Sequence, residues 1–363
     1  MRKKIHSILF LFFASFAPLC GQTSVPLVTA DGFAVPQPGH VFSFPRDHGS
    51  HPDFKIEWWY LTGHLATDGG RRFGYQATFF RSAAADKSGQ LFLAHMALID
   101  ATTGKFYHQE RLNREGWDAS ASTATLDVRN GPWSLRFLDA AAGLIELRGG
   151  VRAEAGFAFT LTPAKPLVVF GENGVSRKGS ATTAASYYLT FTRLRTEGVL
   201  TLGDESLRVT GDSWMDHEIS SSQLDENQVG WDWVSIHFDD RRELMFYRLR
   251  LRDGRADPAS SLTWVDAAGG KQKSDFTWEV LERWTSPRTG AVYPSRVRLT
   301  TTDPATGKPV ALTLVPVAKD QELGGNLGGI SYWEGACRVL GADGRELGRA
   351  YLELTGYAKE LKL

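Results

Sequence analysis

An all-β fold is predicted by three features of the sequence. From about Phe42 onward the chain runs in short alternating stretches, as in Arg72–Phe80, where Phe73, Tyr75, Ala77 and Phe79 share one face and Gly74, Gln76, Thr78 and Phe80 the other. Turn-forming groups separate these stretches: Asp68-Gly69-Gly70, Arg129-Asn130-Gly131, Asp253-Gly254 and Asp343-Gly344. No segment carries a long helical period, so helices should be few and short.

The elements follow in chain order. Arg2, Lys3 and Lys4, then the apolar run Ile8–Phe16 and the residues Ala17–Gly21, form the pattern of a secretory signal peptide over residues 1–21. Its removal takes away three positive charges and predicts a periplasmic or secreted protein. Cys20 offers the alternative of a lipidated cysteine and a membrane-anchored lipoprotein, although Ala17-Pro18-Leu19 makes a poor lipobox. No later stretch approaches the roughly 18 uninterrupted apolar residues of a membrane span. Residues 22–41 read as an N-terminal linker.

Beyond the linker the chain repeats itself. Ile56–Leu65 aligns with Val229–Phe238, which sets Trp58 against Trp231, Tyr60 against Trp233 and His64 against His237. Ile99-Asp100-Ala101 leading to Gly104-Lys105 aligns with Val265-Asp266-Ala267 leading to Gly270-Lys271 in the same order. Two β-domains are therefore expected, residues 42–205 and 206–363, each a barrel or a sandwich.

Composition narrows the function. The chain of 363 residues has 41 Lys+Arg and 41 Asp+Glu, and this balance, without a basic block, argues against nucleic acid as a partner. The 11 Trp, 21 Phe and 10 Tyr suit both β-sheet cores and an apolar small-molecule or lipid ligand. No pair of histidines or cysteines sits at metal-ligand spacing on one element, so no metal is expected. Nor is a cofactor: Gly324–Gly329 lacks the Lys-Ser/Thr ending of a phosphate loop and reads as a β-loop. No nucleophile elbow or catalytic-cysteine setting is present. Oligomeric state is not readable.

The motifs taken together resemble the carotenoid 1,2-hydratase/AttH-like family. They comprise His51-Pro52 with Glu57–Leu65, Phe73–Gln76 through Arg81, Ala94–Ala97, Tyr187–Thr190, Gly211–Glu218, Gly230–Trp233, Tyr332–Gly335 and Tyr351–Tyr357. The resemblance covers nearly the whole chain beyond its first residues. It implies two tandem lipocalin-like β-barrel domains. It also implies water addition to an isoprenoid double bond, which needs a proton donor, an aromatic wall for the carbocation and a placed water. The hydratases carry His-x-Trp and, further on, Tyr-x-Asp. Here His217 is followed by Ile219, and Tyr247 by Leu249, so the sequence is closer to the secreted AttH-like branch.

The candidate catalytic residues are Asp216, His217, Glu218, Glu57 and Tyr247. Asp216-His217-Glu218 is the densest ionisable group beside aromatics, and strand alternation sets His217 on the face opposite its neighbours. A buried Glu57 would have its pKa raised by desolvation and could act as an acid, or it could instead pair with Arg81 or Lys55. The candidate ligand-binding residues are Trp58, Trp59, Tyr60, His95, Trp214, Trp231 and Trp233. His64 and His237, present in both repeats, read as architectural. Trp214–His217 and Glu57–Tyr60 are expected to border one apolar pocket between the repeats. The leading reading is a protein that binds, and as a hydro-lyase hydrates, an unsaturated lipid. The alternatives are a lipid carrier without turnover and a hydrolase of unknown substrate.

Overall fold

The computed structural model describes residues 25–84 and 86–361. The expected signal peptide and Cys20 lie outside that range. Among the described residues the helical content is one 3-10 turn, Arg46–His48, and the rest is strand and turn. The first strands are β1 (Ile56–Ala66), β2 (Arg72–Ala83), β3 (Gln90–Asp100), β4 (Lys105–Arg114), β5 (Ala119–Ala121), β6 (Asp127–Asn130), β7 (Trp133–Asp139) and β8 (Leu144–Val151). Then come β9 (Ala155–Pro163), β10 (Val168–Val169), β11 (Ser176–Arg177), β12 (Ala185–Leu202), β13 (Glu205–Ser222), β14 (Gln228–Phe238), β15 (Glu243–Leu251) and β16 (Ser261–Val265). The last are β17 (Lys271–Ser274), β18 (Phe276–Thr285), β19 (Val292–Asp303), β20 (Lys308–Pro316), β21 (Glu322–Leu323), β22 (Tyr332–Leu340) and β23 (Glu346–Leu354).

Two sheets result, and their strand orders match. The first runs β4-β3-β2-β1-β13-β12-β9-β8-β7-β6-β5 and the second β17-β16-β15-β14-β23-β22-β20-β19-β18. β1 thus corresponds to β14 and β3 to β16, the equivalence expected from the sequence repeat. The first sheet is a nearly closed barrel, with β3 and β4 reaching across to β6 and β8, and the second is a half-barrel. Each encloses its own apolar core, around Trp59, Tyr75 and Phe159 in one and Phe246, Tyr293 and Trp333 in the other. These are two lipocalin-like β-domains.

Two expected boundaries shift. Strand β13 completes the first sheet by pairing with both β1 and β12, so the sheets part between Ser222 and Gln228 rather than near residue 205. The segment before Phe42 is no loose linker either. Phe33 and Val35 are buried, and the Gln37 main-chain N–H donates to the Tyr187 hydroxyl at 2.8 Å.

A third apolar cluster lies on the seam between the sheets. It holds Tyr60, Tyr188 and Trp214 from the first and Trp233, Tyr247 and Tyr351 from the second. Strand alternation makes this possible, because a strand buried on both faces supplies one set of side chains to its barrel and the other to the seam. His64 and His237 both bond across the seam to main-chain carbonyls of the opposite sheet.

Candidate functional site

Register fixes which side chains meet. Across β13, β1, β2 and β3, Asp216 lies opposite Tyr60, Tyr60 opposite Thr78, and Thr78 opposite His95. One residue-pair along, Glu218 lies opposite Trp58 and Trp58 opposite Phe80. All of these point out of the first barrel. Facing them, Glu334 pairs with Glu353, Glu353 with Trp233, and Trp233 with Tyr247 across β22, β23, β14 and β15. Between the two rows is a cavity of about 490 Å³, with walls that include Trp58, Tyr60, Tyr188, Trp231, Trp233 and Tyr247. That volume falls within the range of small-molecule sites.

Buried carboxyl groups interrupt the aromatic walls. Asp216 accepts hydrogen bonds from Tyr188 Oη at 2.8 Å, Thr190 Oγ1 at 2.6 Å and Trp214 Nε1 at 2.8 Å. Burial nevertheless pushes its pKa up to about 7, with Glu218 adding to the rise and the three donors opposing it. Glu353 enters from the opposite sheet and accepts from Trp231 Nε1 at 2.8 Å. Burial, with Glu218 and Asp216 adding, raises it to about 7 as well. Glu334, behind the wall, is pushed well above the usual carboxylate range by burial and by Glu353, while it accepts from the Tyr60 hydroxyl at 2.5 Å. Glu218 is ion-paired with Lys178 at 2.9 Å, and that ammonium also lies over the rings of Tyr188 and Tyr247.

His217 and Glu57 occupy the other face. Glu57 touches the cavity wall, but its carboxylate is bonded on the barrel side, where Oε1 accepts from His51 Nδ1 and from His217 Nε2, both at 2.8 Å. Its Oε2 accepts from Arg81 Nε and the His51 main-chain N–H, both at 2.9 Å, and from Ser50 Oγ at 3.2 Å. The expected rise in its pKa is reversed. Burial does push it up, but the His217 and His51 hydrogen bonds and the charges of His217 and Arg81 hold it well below the usual carboxylate range. The Arg81 partner weighed from the sequence is the one present. His217 has its pKa lowered by burial, against the opposing pull of Glu57, and stacks on Trp59 at 4.8 Å. His217 is therefore out of the cavity, and Glu57 borders it with its carboxylate turned to the barrel side.

Metal-type donors do converge here from separate elements. The donor atoms of His51, Glu57 and His217 all lie within 4.8 Å of one another, a proximity invisible to a search along one strand. Arg81 holds a fixed positive charge on the same carboxylate, and every Glu57 contact is a hydrogen bond, so the cluster reads as a ring of donors around one anion.

Of the residues singled out from the sequence, Glu57, Trp58, Tyr60, His95, Asp216, Glu218, Trp231, Trp233 and Tyr247 border one cavity with Leu249 beside them. Trp214 stands behind Asp216, and Trp59 donates from Nε1 to the His48 carbonyl at 3.0 Å inside the first barrel. Sequence reading missed Glu353, Glu334, Tyr188 and Lys178. The first three lie within the family-like stretches Tyr351–Tyr357, Tyr332–Gly335 and Tyr187–Thr190, a signal that could have found them. The glycine-rich segment also gains a place. Leu327, Gly328 and Ile330 cover part of the cavity, and Glu110 on β4 accepts from the Asn326 and Gly328 main-chain N–H groups. A Cβ at Gly328 would come within 2.8 Å of Leu93 Cδ2, so a glycine lets the segment close down on the wall.

Paired β-barrels with an acid-lined aromatic cavity on their seam define a two-domain lipocalin-like protein. The chain belongs to the AttH-like family, whose model matches residues 35–357. It is similar to the structure of a Nitrosomonas europaea protein assigned to AttH, with 38% identity and a TM-score of 0.80 over 90% of this chain and 100% of that one. It also shares its fold with kievitone hydratase from Nectria haematococca, at 13% identity and a TM-score of 0.69 over 93% of this chain and 97% of that one. CghA with Sch210972 shares the fold at 11% identity and a TM-score of 0.55, over 92% of this chain and 99% of that one. No curated protein matches the chain. Among the described residues no helix is long and apolar enough to cross a membrane.

Proposed function

We propose that this AttH-like protein is a hydro-lyase that takes an apolar, unsaturated isoprenoid or related lipid into the seam cavity and adds water across a carbon–carbon double bond. One observation carries the reading: Asp216 and Glu353 reach one aromatic cavity from opposite sheets, each with its pKa raised to about 7. Two carboxyls that both titrate near neutrality are available as acid and as base at the same pH. Glu353, with one oxygen bonded to Trp231, is the better donor, and Asp216, held by three donors, the better base. Glu353 protonates the alkene, and the faces of Trp58 and Trp233 stabilise the carbocation. Water adds to the cation and gives its proton to Asp216. Glu353 has lost one proton and Asp216 gained one, so exchange of both with water resets the site. The fold shared with kievitone hydratase lends support from a protein named for such a reaction.

Export to the periplasm or beyond, with Cys20 as an alternative lipid anchor, belongs to the same proposal and rests on residues 1–21. A carrier without turnover is the second reading, favoured by Leu249 on the wall where the pigment hydratases are expected to have an acid. The test is incubation with isoprenoid alkenes from farnesene to squalene in ¹⁸O-labelled water, followed by mass spectrometry. Labelled alcohol from the wild type, absent from Glu353→Gln and Asp216→Asn, is the expected result. Bound but unchanged alkene throughout would establish the carrier.

A further inference from the structure

From Tyr60, opposite Asp216, towards His95 on β3 the cavity walls turn polar in a way that hydrating a hydrocarbon does not require. Three wall hydroxyls, those of Tyr60, Thr78 and Tyr332, are each held by a buried partner: Glu334, Gln76 and His95 respectively. Each partner keeps a second polar atom with no hydrogen bond among the described residues, namely Glu334 Oε2, Gln76 Oε1 and His95 Nε2. All three side chains are at most 3% exposed, and His95 itself lines the cavity. Its Nδ1 is 2.8 Å from the Tyr332 hydroxyl, while the nearest anion to Nε2, Glu110, is at 3.8 Å, beyond hydrogen-bond length. Three separate side chains with spare polar atoms around one patch are unusual in an interior that normally pairs such groups.

We propose that the patch formed by Tyr60, Thr78, His95 and Tyr332, backed by Glu334 and Gln76, is a head-group subsite for a hydroxyl or phenol on the ligand, so that the ligand is a neutral unsaturated alcohol rather than a hydrocarbon or a fatty acid. The inference rests on the seam cavity being a ligand site, as in the reading above, but not on turnover. The patch runs away from Asp216. Tyr60 lies directly opposite Asp216, Thr78 is two strands from it and His95 three, so at 4.7–4.9 Å per strand the His95 end sits about 14 Å from Asp216. That end suits the polar terminus of an extended chain. A hydroxyl both donates and accepts, matching a patch that offers both. A carboxylate is disfavoured by charge. Asp216, Glu218, Glu334 and Glu353 stand on or behind the walls, whereas Lys178 is already paired with Glu218, Arg81 with Glu57 and Lys55 with Asp31.

The experiment is a tryptophan-fluorescence titration at pH 8 with farnesene, farnesol and farnesoic acid, which share a chain and differ at the head. Farnesol should bind tighter than farnesene by on the order of tenfold, and farnesoic acid more weakly than either. His95→Phe should abolish the difference in affinity between farnesol and farnesene. Thr78→Val, which keeps the shape, should narrow the preference and serves if the first variant fails to fold. Equal affinity for alcohol and hydrocarbon, or a preference that survives the substitutions, overturns the subsite while leaving the hydratase reading standing. No binding of any of the three overturns both the subsite and the cavity. An alcohol preference without hydration upholds the subsite and removes only the chemistry.

Discussion

His64 and His237 hold equivalent places in the two sheets, and each ring crosses the seam to the other sheet. His64 Nε2 lies 3.0 Å from the Ala350 carbonyl and His237 Nε2 2.7 Å from the Thr192 carbonyl. A carbonyl only accepts, so both rings carry hydrogen on Nε2. Burial lowers both pKa values to about 3. The folded form therefore binds its protons later than the unfolded chain does, and this contribution to stability is full above about pH 6.5 and lost as pH falls towards 3. Replacing either with Gln should cost about 1–2 kcal/mol. The double variant should also lose less stability than the wild type between pH 7 and pH 5, measured by denaturant unfolding. An unchanged acid slope would contradict the assignment.

Asp216 and Glu353 have the opposite sign. Their folded pKa values of about 7 exceed the ordinary carboxylate values, so stability falls as pH rises through the interval between the two. Asp216→Asn and Glu353→Gln should each flatten that fall between pH 5 and pH 8. Under the proposed hydration, which needs Glu353 protonated and Asp216 ionised, turnover should decline on both sides of neutrality in the wild type. A rate that stays level from pH 5 to pH 9 would rule the pair out.

Glu57 anchors the barrel side of β1. Substituting Gln leaves the Arg81 guanidinium buried without its carboxylate, a loss of about 3–5 kcal/mol. His217→Ala should cost about 1–3 kcal/mol through the same ring of donors. Calorimetry should register both losses, whereas the affinity of the folded His217→Ala protein for farnesol should match the wild type. Loss of binding without loss of stability would place His217 in the ligand site after all.

Glu110 latches the glycine-rich segment by two main-chain N–H groups. Glu110→Ala should accelerate ligand release in stopped-flow displacement by several-fold and change global stability by less than about 1 kcal/mol. Release at the wild-type rate would show that ligands enter elsewhere.

Much of this architecture is legible in the chain because period and repeat are local properties. Trp58 against Trp231 and Asp100 against Asp266 locate equivalent strands correctly, and the two aspartates even perform the same task, accepting main-chain N–H groups of the following turn. Alternation also sets Asp216 and Glu218 opposite His217. What alternation leaves open is which face meets the cavity, since β1 is buried on both. Trp59 is expected there but packs inside the first barrel, while Glu57 borders the cavity with its carboxylate bonded on the barrel side. Glu353 and Glu334 escape because their significance depends on β22 and β23 meeting β1 and β13, contacts between residues more than a hundred positions apart. The convergence of His51, Glu57 and His217 has the same cause.

Because Asp216 and Glu353 reach the cavity from different sheets, the spacing between these two carboxyls is set by how the sheets lean on one another. A rotation of a few degrees would retune that spacing while leaving every ladder bond inside either sheet untouched. Substitutions at His64 or His237, which cross the seam without lining the cavity, would thereby change its shape through leverage alone. Evolution, or a designer, has a dial here that bypasses the cavity walls entirely.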